Sequence, residues 1–278
     1  MSYQACGVKP SLNTIDFIGL LMFMRLVSYK DLLFVYIWRE FIVRYKQSYI
    51  GVLWAILQPL TMMALFVIIF GYVLKTTDKD YPYVLFFYSG ILPWTFFSAS
   101  TNYAIPCLAG NFNLITKIYF PREIIPLAGV AINFIDYCFG LLIYIILLLV
   151  YEVHITINAL WFIPLLALLI IYTASVGYLL SALNVYYRDV KLASNFILQL
   201  LFFASPVIYS LDRVELRWKA LLIINPLTYI IENMRRVTIE GRGIILWQFV
   251  IEFLFVMLFY ALVYKIFTRI ERAFADVI

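Results

Sequence analysis

Six long apolar runs punctuate the chain, at about 51–74, 83–106, 123–150, 160–184, 191–210 and 245–267. Each approaches the ~20 residues with which an α-helix crosses a hydrocarbon layer of about 30 Å. The pattern predicts an all-α integral membrane protein with six transmembrane helices. An apolar patch at 17–24 is too short to span, which leaves 1–28 as a tail or a surface-lying segment. Residues 29–48 read differently. On a helical wheel Phe34, Ile37, Trp38, Phe41 and Tyr45 share a face. Arg39, Glu40, Lys46 and Gln47 lie opposite, with Arg44 at the edge. Such a helix lies in the membrane plane; the other reading is the polar start of the first span. The transmembrane region then occupies 49–278.

Between the second and third runs lies 111–126, NFNLITKIYFPREIIP. Residues 114–120 allow at most two helical turns. Pro121 suits the first turn of a new helix and pushes Phe120 out of the α region. Glu123 then falls where a negative charge complements the helix dipole. The stretch reads as a short helix, a corner and a long helix: a knuckle on the cytoplasmic face, or a plain inter-helix loop.

Two spans carry mixed polar and aromatic faces. Trp54, Gln58 and Thr61 are spaced four and three in the first. In the fifth, Asn195, Gln199, Phe202, Pro206 and Tyr209 follow a 4-3-4-3 spacing. Such a face suits a water-filled path along which sugar rings slide on aromatic side chains and exchange hydrogen bonds with amides. It equally suits ordinary packing between helices. In the fourth run Thr173, Gly177 and Ser181 form a small-residue ridge that permits close helix approach.

The segment 211–246 contains two short amphipathic stretches meeting at Asn225-Pro226. Asn225 can cap, Pro226 fits the first helical position, and Gly241 can end the second helix. Both stretches are too short to span, so they fit a re-entrant hairpin at the outer face between spans five and six. The alternative, a seventh and an eighth span, is opposed by Arg235 and Arg236.

Composition agrees with a bilayer setting. The 278 residues are 65% hydrophobic and 13% charged, with a mean hydropathy of +0.94, against about 25% charged in soluble domains. The net charge of +5 is spread between apolar runs, a distribution that suggests topology and no nucleic-acid partner. Both termini inside puts the majority of the 21 Lys and Arg residues inside. Segment 211–246 holds most of the exceptions. Aromatic residues make up 19%, more than interfacial belts require. No cleavable signal sequence is evident.

Catalytic and nucleotide-binding patterns are missing from the sequence. It has no G-x-x-x-x-G-K-[ST], no G-x-G-x-x-G, no G-x-S-x-G and no H-E-x-x-H. Cys6, Cys107 and Cys138 lack metal-ligand spacing. His154 sits at a predicted outer loop. Asp136 and Glu252 lie near predicted span ends, as wet helix ends or as parts of an ion path.

Five segments carry a resemblance: YIGVLWAILQPL at 49–60, KIYFPREIIPL at 117–127, NVYYRDV at 184–190, FFASPVIYS at 202–210 and INPLTYIIENMRR at 224–236. In this order and spacing the chain resembles, over about residues 30–270, the ABC-2 type permeases that export O-antigen, capsule and teichoic acid. The resemblance implies a non-enzymatic homodimeric permease of the inner (plasma) membrane with both termini cytoplasmic. It implies two separate ABC ATPase subunits, which hold the ATP and Mg, and a lipid-linked polysaccharide as cargo. It implies that the helix at 30–48 and a coupling or gate helix at 111–122 meet the ATPase, through Arg39, Arg44, Leu114, Lys117, Tyr119, Phe120 and Arg122. Channel lining would fall to Trp54, Gln58, Asn195, Gln199, Phe202 and Tyr209. Outer gate helices at 213–240 would involve Trp218, Asn225, Pro226 and Tyr229. O-antigen-like cargo is the first expectation, and teichoic acid or capsule the alternative. An ion-driven secondary transporter would want an inverted repeat and midplane acids, and a membrane enzyme a His/Asp/Glu cluster; neither pattern is found.

Overall fold

A computed structural model describes residues 29–46, 51, 53–73, 81–111, 114, 117 and 120–277. The tail 1–28, the polar segment 75–79, Gln47 and the expected coupling residue Tyr119 lie outside the described residues. The described chain is helical, without strands: α1 (Lys30–Tyr45), α2 (Leu53–Phe66) continued by a π-helical stretch Val67–Val73, α3 (Tyr83–Gly110), α4 (Ile124–Val150), α5 (Phe162–Tyr186), α6 (Asp189–Phe203), α7 (Leu216–Ile223), α8 (Pro226–Thr238) and α9 (Leu246–Val277).

Among the described residues, four helical segments are long and apolar enough to cross a membrane: Leu53–Val73, Ile124–Val150, Ile157–Tyr186 and Leu246–Glu271. Helix α3 has the length, but Ser, Thr, Asn, Gly and Tyr residues dilute its apolar character. Helix α6 has 15 residues, short of the ~20 a span requires.

Helix α3 is the centre of the bundle. It packs on α4 and α5, and also touches α2, α6 and α8. Leu85, Phe87, Tyr88, Ala104 and Leu108 along it are fully buried. Its aromatic residues meet rings from its neighbours, Phe87 with Phe66 at 4.6 Å, Phe96 with Tyr137 at 5.5 Å and Phe97 with Tyr172 at 5.7 Å. The aromatic excess thus fills the core, where offset and edge-on ring pairs add to simple burial. Two prolines, Pro93 and Pro106, lie inside α3. Each removes the backbone donor that the carbonyl four residues earlier would have used.

The small-residue ridge of α5 faces α3. Thr173 and Ser181 are fully buried, and a Cβ added at Gly177 would lie 3.1 Å from Ala104 Cβ. At the knuckle, Pro121–Glu123 form a turn in which the Ile124 N–H donates to the Pro121 carbonyl at 3.2 Å. The first-turn proline of α4 is therefore Pro126, not Pro121; the two compete for one role, and only a proline within the first turn forfeits an N–H that has no helical acceptor. Glu123 stands just before the helix and is 1% exposed.

The fifth apolar run does not stay helical to 210. Helix α6 stops at Phe203, and 204–210 form turns. Pro206 explains the stop, since it disfavours the α conformation at Ser205 and cannot donate. Gly177→Leu is expected to destabilise the protein by about 1–3 kcal/mol by forcing α5 off α3. The measurement is thermal melting of the detergent-solubilised protein.

Candidate functional site

At the inner end, as the sequence orients it, α1 lies against α4, and polar groups fix its position. The Arg44 guanidinium donates to Asp136 Oδ2 at 2.5 Å and to Asn133 Oδ1 at 3.1 Å. The Tyr45 hydroxyl donates to the other Asp136 oxygen. Asp136 is thus the partner of the interface helix rather than a bare wet helix end. Further along α1, Arg39 sits over the Tyr36 ring at 4.6 Å, pairs with Glu40 at 2.6 Å and reaches Asn111 Oδ1 at 3.3 Å. Asn111 ends α3, so this contact joins the interface helix to the start of the knuckle. Tyr36 meets Phe120 with ring centroids 6.1 Å apart.

These contacts revise the expected coupling surface. Phe120 is buried and joins the core. Arg44 is engaged with Asp136. The Arg122 backbone N–H donates to Glu271 Oε1 at 3.2 Å, and its guanidinium donates to the Glu271 carbonyl at 2.6 Å. Leu114 is half-buried against the core. Lys117 is exposed, and Arg39 keeps 42% of its side chain in the open. Aromatic and arginine residues near a loop were read as surface contacts, although the same residue types can hold a loop to its own bundle.

The two mixed faces differ. On α2, Trp54 is 49% exposed, and Gln58 is exposed beside a cavity of about 320 Å³ that Thr95, Asn102 and Asn133 also line. On α6, Asn195 and Gln199 are exposed. Phe202 is not on an open face: it is half-buried between Trp94 at 5.5 Å and Phe66 at 6.2 Å. Pro206 is buried beyond the helix end. The Tyr209 hydroxyl turns back to the Phe203 carbonyl at 3.0 Å. The 4-3-4-3 stripe therefore ends at Phe202, because the helix that would carry it ends one residue later.

In 211–246 two short helices, α7 and α8, meet at Asn225-Pro226. Asn225 Oδ1 accepts the Leu227 N–H at 3.1 Å, while its amide donates to Ser205 Oγ at 3.0 Å. Pro226 is buried in the first position of α8. Trp218 is exposed, with Arg217 stacked 5.3 Å from its ring. Tyr229 is half-buried. Beyond α8, Gly241 takes φ +64, and its carbonyl accepts from Thr156 at 3.0 Å and Asn158 at 2.8 Å.

Arg235 was first read only as an obstacle to a membrane span. It is 1% exposed and lies at the junction of α8, α3 and the turn after α6. Its Nε donates to Ser89 Oγ at 3.2 Å and its Nη1 to Glu232 at 3.0 Å. Its Nη2 donates to the carbonyls of Phe86 at 3.2 Å and Pro206 at 3.0 Å. The guanidinium also covers the Phe86 ring at 3.7 Å. Gly90 makes room for it, since a Cβ there would lie 2.9 Å from Arg235 Nη2 and 3.1 Å from Val207 Cα. The only sequence signal for this clamp is an arginine on the same helix face as the apolar Leu227, Ile231 and Met234.

Fold and contacts define a polytopic helical membrane protein with a polar-anchored interface helix and a pair of short helices at its far end. The chain belongs to the ABC-2 type transporter family, whose model matches residues 31–239. It is 30% identical over 212 residues to an O-antigen export system permease protein RfbA of Klebsiella pneumoniae, covering 76% of this chain and 81% of that relative. A protein of the same name from Myxococcus xanthus is 29% identical over 219 residues, 78% of this chain and 84% of the relative. The polysialic acid transport protein KpsM of Escherichia coli is 26% identical over 208 residues, 73% and 79% of the two chains.

Arg235→Met should remove about 3–5 kcal/mol of stability by leaving Glu232 and two buried carbonyls without their donor. Arg235→Lys should recover only part of it, because one ammonium cannot span the acceptors that a planar fork reaches. Thermal melting of both variants in detergent checks the order.

Proposed function

We propose that this chain is the transmembrane subunit of an exporter that moves a lipid-linked, O-antigen-like polysaccharide from the cytoplasm across the inner membrane, driven by ATP hydrolysis on partner subunits. The observation that carries the reading is the kinship with named O-antigen export permeases, which extends over three quarters of the chain. In this reading α3 and α6 join the four long apolar segments as spans, giving six, with both termini cytoplasmic. Helix α6 gains its missing length from the turns that follow it. Helices α7 and α8 form the re-entrant outer gate, where Trp218, Asn225, Pro226 and Tyr229 lie.

The permease works as a homodimer with two ABC ATPase subunits, which bind ATP and Mg. Force enters at the knuckle and α1. Lys117 and Arg39 are the open cations for the ATPase to meet. Arg44, Phe120 and Arg122 pass the displacement on, through Asp136, Tyr36 and Glu271. Leu114 seats the knuckle on the core. Trp54, Gln58, Asn195 and Gln199, all exposed on a single chain, face the glycan between two copies. Phe202 and Tyr209 hold the upper end of that wall. Aromatic faces take the C–H side of a sugar ring, as in the stacking of rings on aromatic platforms, and amides exchange hydrogen bonds with hydroxyls. Many weak contacts let a polymer advance without being trapped. A capsule-type glycan is the second reading, favoured by the polysialic acid transport relative.

Lys117→Glu is expected to reduce co-purification of the partner ATPase at least tenfold while the permease keeps its melting temperature; normal stoichiometry in the variant would sink the docking assignment. Trp54→Ala with Gln199→Ala should lower surface glycan in a complementation assay about tenfold, roughly what two weak contacts contribute. Wild-type surface glycan with the complex intact would remove these residues from the path.

A further inference from the structure

A cavity of about 550 Å³ opens between α7, α8 and the first turns of α9. Four buried polar atoms on its wall have no hydrogen-bond partner among the described residues: Thr228 Oγ1, Tyr229 Oη, Arg236 Nε and Glu252 Oε1. Unpaired buried polar groups are uncommon and costly, so their convergence on one space points to a ligand.

The charges around the cavity narrow its identity. Glu232 pairs with Arg235 at 3.0 Å, Asp212 with Lys219 at 3.5 Å, and Glu240 with Arg242 at 3.8 Å. Arg236 and Glu252 form no ion pair among the described residues, with each other or with any other group. One cation and one anion remain, with Tyr229 between them: burial pushes its hydroxyl up to about 12, Glu252 raising it and Arg236 lowering it. Glu252 stands six residues into α9, about 9 Å along the helix at 1.5 Å per residue, a depth suited to a lipid head group. From the cavity an exposed apolar line runs down α9 through Ile251, Leu254, Leu258 and Leu262. Trp247 stands exposed at the mouth.

We propose that this cavity binds a zwitterionic phospholipid carrying a primary ammonium, a phosphoethanolamine head group, with its phosphate at Arg236, its ammonium at Glu252 and an acyl chain along the α9 line. The pair of opposite charges decides the class. A neutral sugar would leave both charges uncompensated in a half-apolar space. An anionic lipid would answer Arg236 and leave Glu252 opposed. Only a ligand with both signs answers each, and the unpaired Glu252 Oε1 needs an N–H donor, which a primary ammonium has and a quaternary one lacks. Trp247 suits the interfacial position in which indole rings accumulate. With the orientation given under Proposed function, this lipid lies in the outer leaflet; the binding itself does not rest on that orientation.

The test is native mass spectrometry of the full-length, delipidated protein in a non-ionic detergent. It is titrated with dioleoyl phosphatidylethanolamine, phosphatidylcholine or phosphatidylglycerol of the same acyl chains. The ethanolamine lipid should bind the unaltered protein about tenfold tighter than either of the others, the difference of one charge-assisted contact. Glu252→Gln should abolish that preference and, by removing the opposing charge, tighten phosphatidylglycerol binding. Arg236→Gln should weaken all three lipids. The lipid series on the unaltered protein stands even if a variant fails to fold. Equal binding of the three lipids, an unchanged preference in Glu252→Gln, or displacement of the ethanolamine lipid by a soluble oligosaccharide would overturn the proposal. No transport is measured, so these outcomes leave the export reading untouched.

Discussion

The arrangement of the far end depends on a buried cation. A lone guanidinium in an apolar bundle is costly to desolvate, and Arg235 is tolerated because its partners come from three separate parts of the chain: Ser89 and Phe86 on α3, Pro206 in the turn after α6, and Glu232 one turn back on α8. The proline that stops α6 also orients the carbonyl that Arg235 needs. Gly90 leaves the space, and the Phe86 ring closes one side. Remove the cation and the short helices lose their polar tie to α3, since the other polar ties described for them run elsewhere, Thr238 to Tyr144 on α4 at 2.6 Å and Asn225 to Ser205 after α6 at 3.0 Å.

The inner end repeats the logic with less burial. The Arg44–Asp136 pair has roughly a quarter of each side chain exposed (31% and 23%), so solvent screens it and its own strength is modest. Its value lies in geometry: with Asn133 and Tyr45 it holds α1 to α4 at one point while Tyr36–Phe120 and Arg39–Asn111 hold it to the knuckle at others. The face of α1 carrying Phe34, Val35 and Trp38 stays open. The helix is thus fastened to protein on one side and free to lie in a membrane surface on the other.

Much of the fold was legible in the sequence for simple reasons. Apolar run length located the long helices. Asn225-Pro226 marked a helix start by capping chemistry, and the Thr173–Gly177–Ser181 spacing marked a close contact. Where the reading failed, tertiary structure decided. Pro121 and Pro126 both suit a first turn, and only the packing of Phe120 and Glu123 selects between them. Spacing suggested one continuous stripe to Tyr209, but it presupposed a helix that Pro206 interrupts. Arg235 was invisible because its partners are about 30 and 146 residues away in the chain; no local pattern records that Pro206 and Ser89 will meet it. The coupling residues were recognised by type, and residue type does not say whether a ring faces a partner or its own core.

The prolines of α3 carry a consequence of their own. Pro93 leaves the Ser89 carbonyl without its helical donor, just inside the Arg235 clamp, and Pro106 does the same for Asn102, about two and a half turns before the knuckle. The best-sheathed part of α3 runs up to the first of these prolines, where 85–94 are buried throughout, whereas Ala99 and Asn102 between the two prolines are exposed. The helix is therefore weakened at two points, one inside it beside the clamp and one near its knuckle end, and a bend at the second need not disturb the buried stretch before the first.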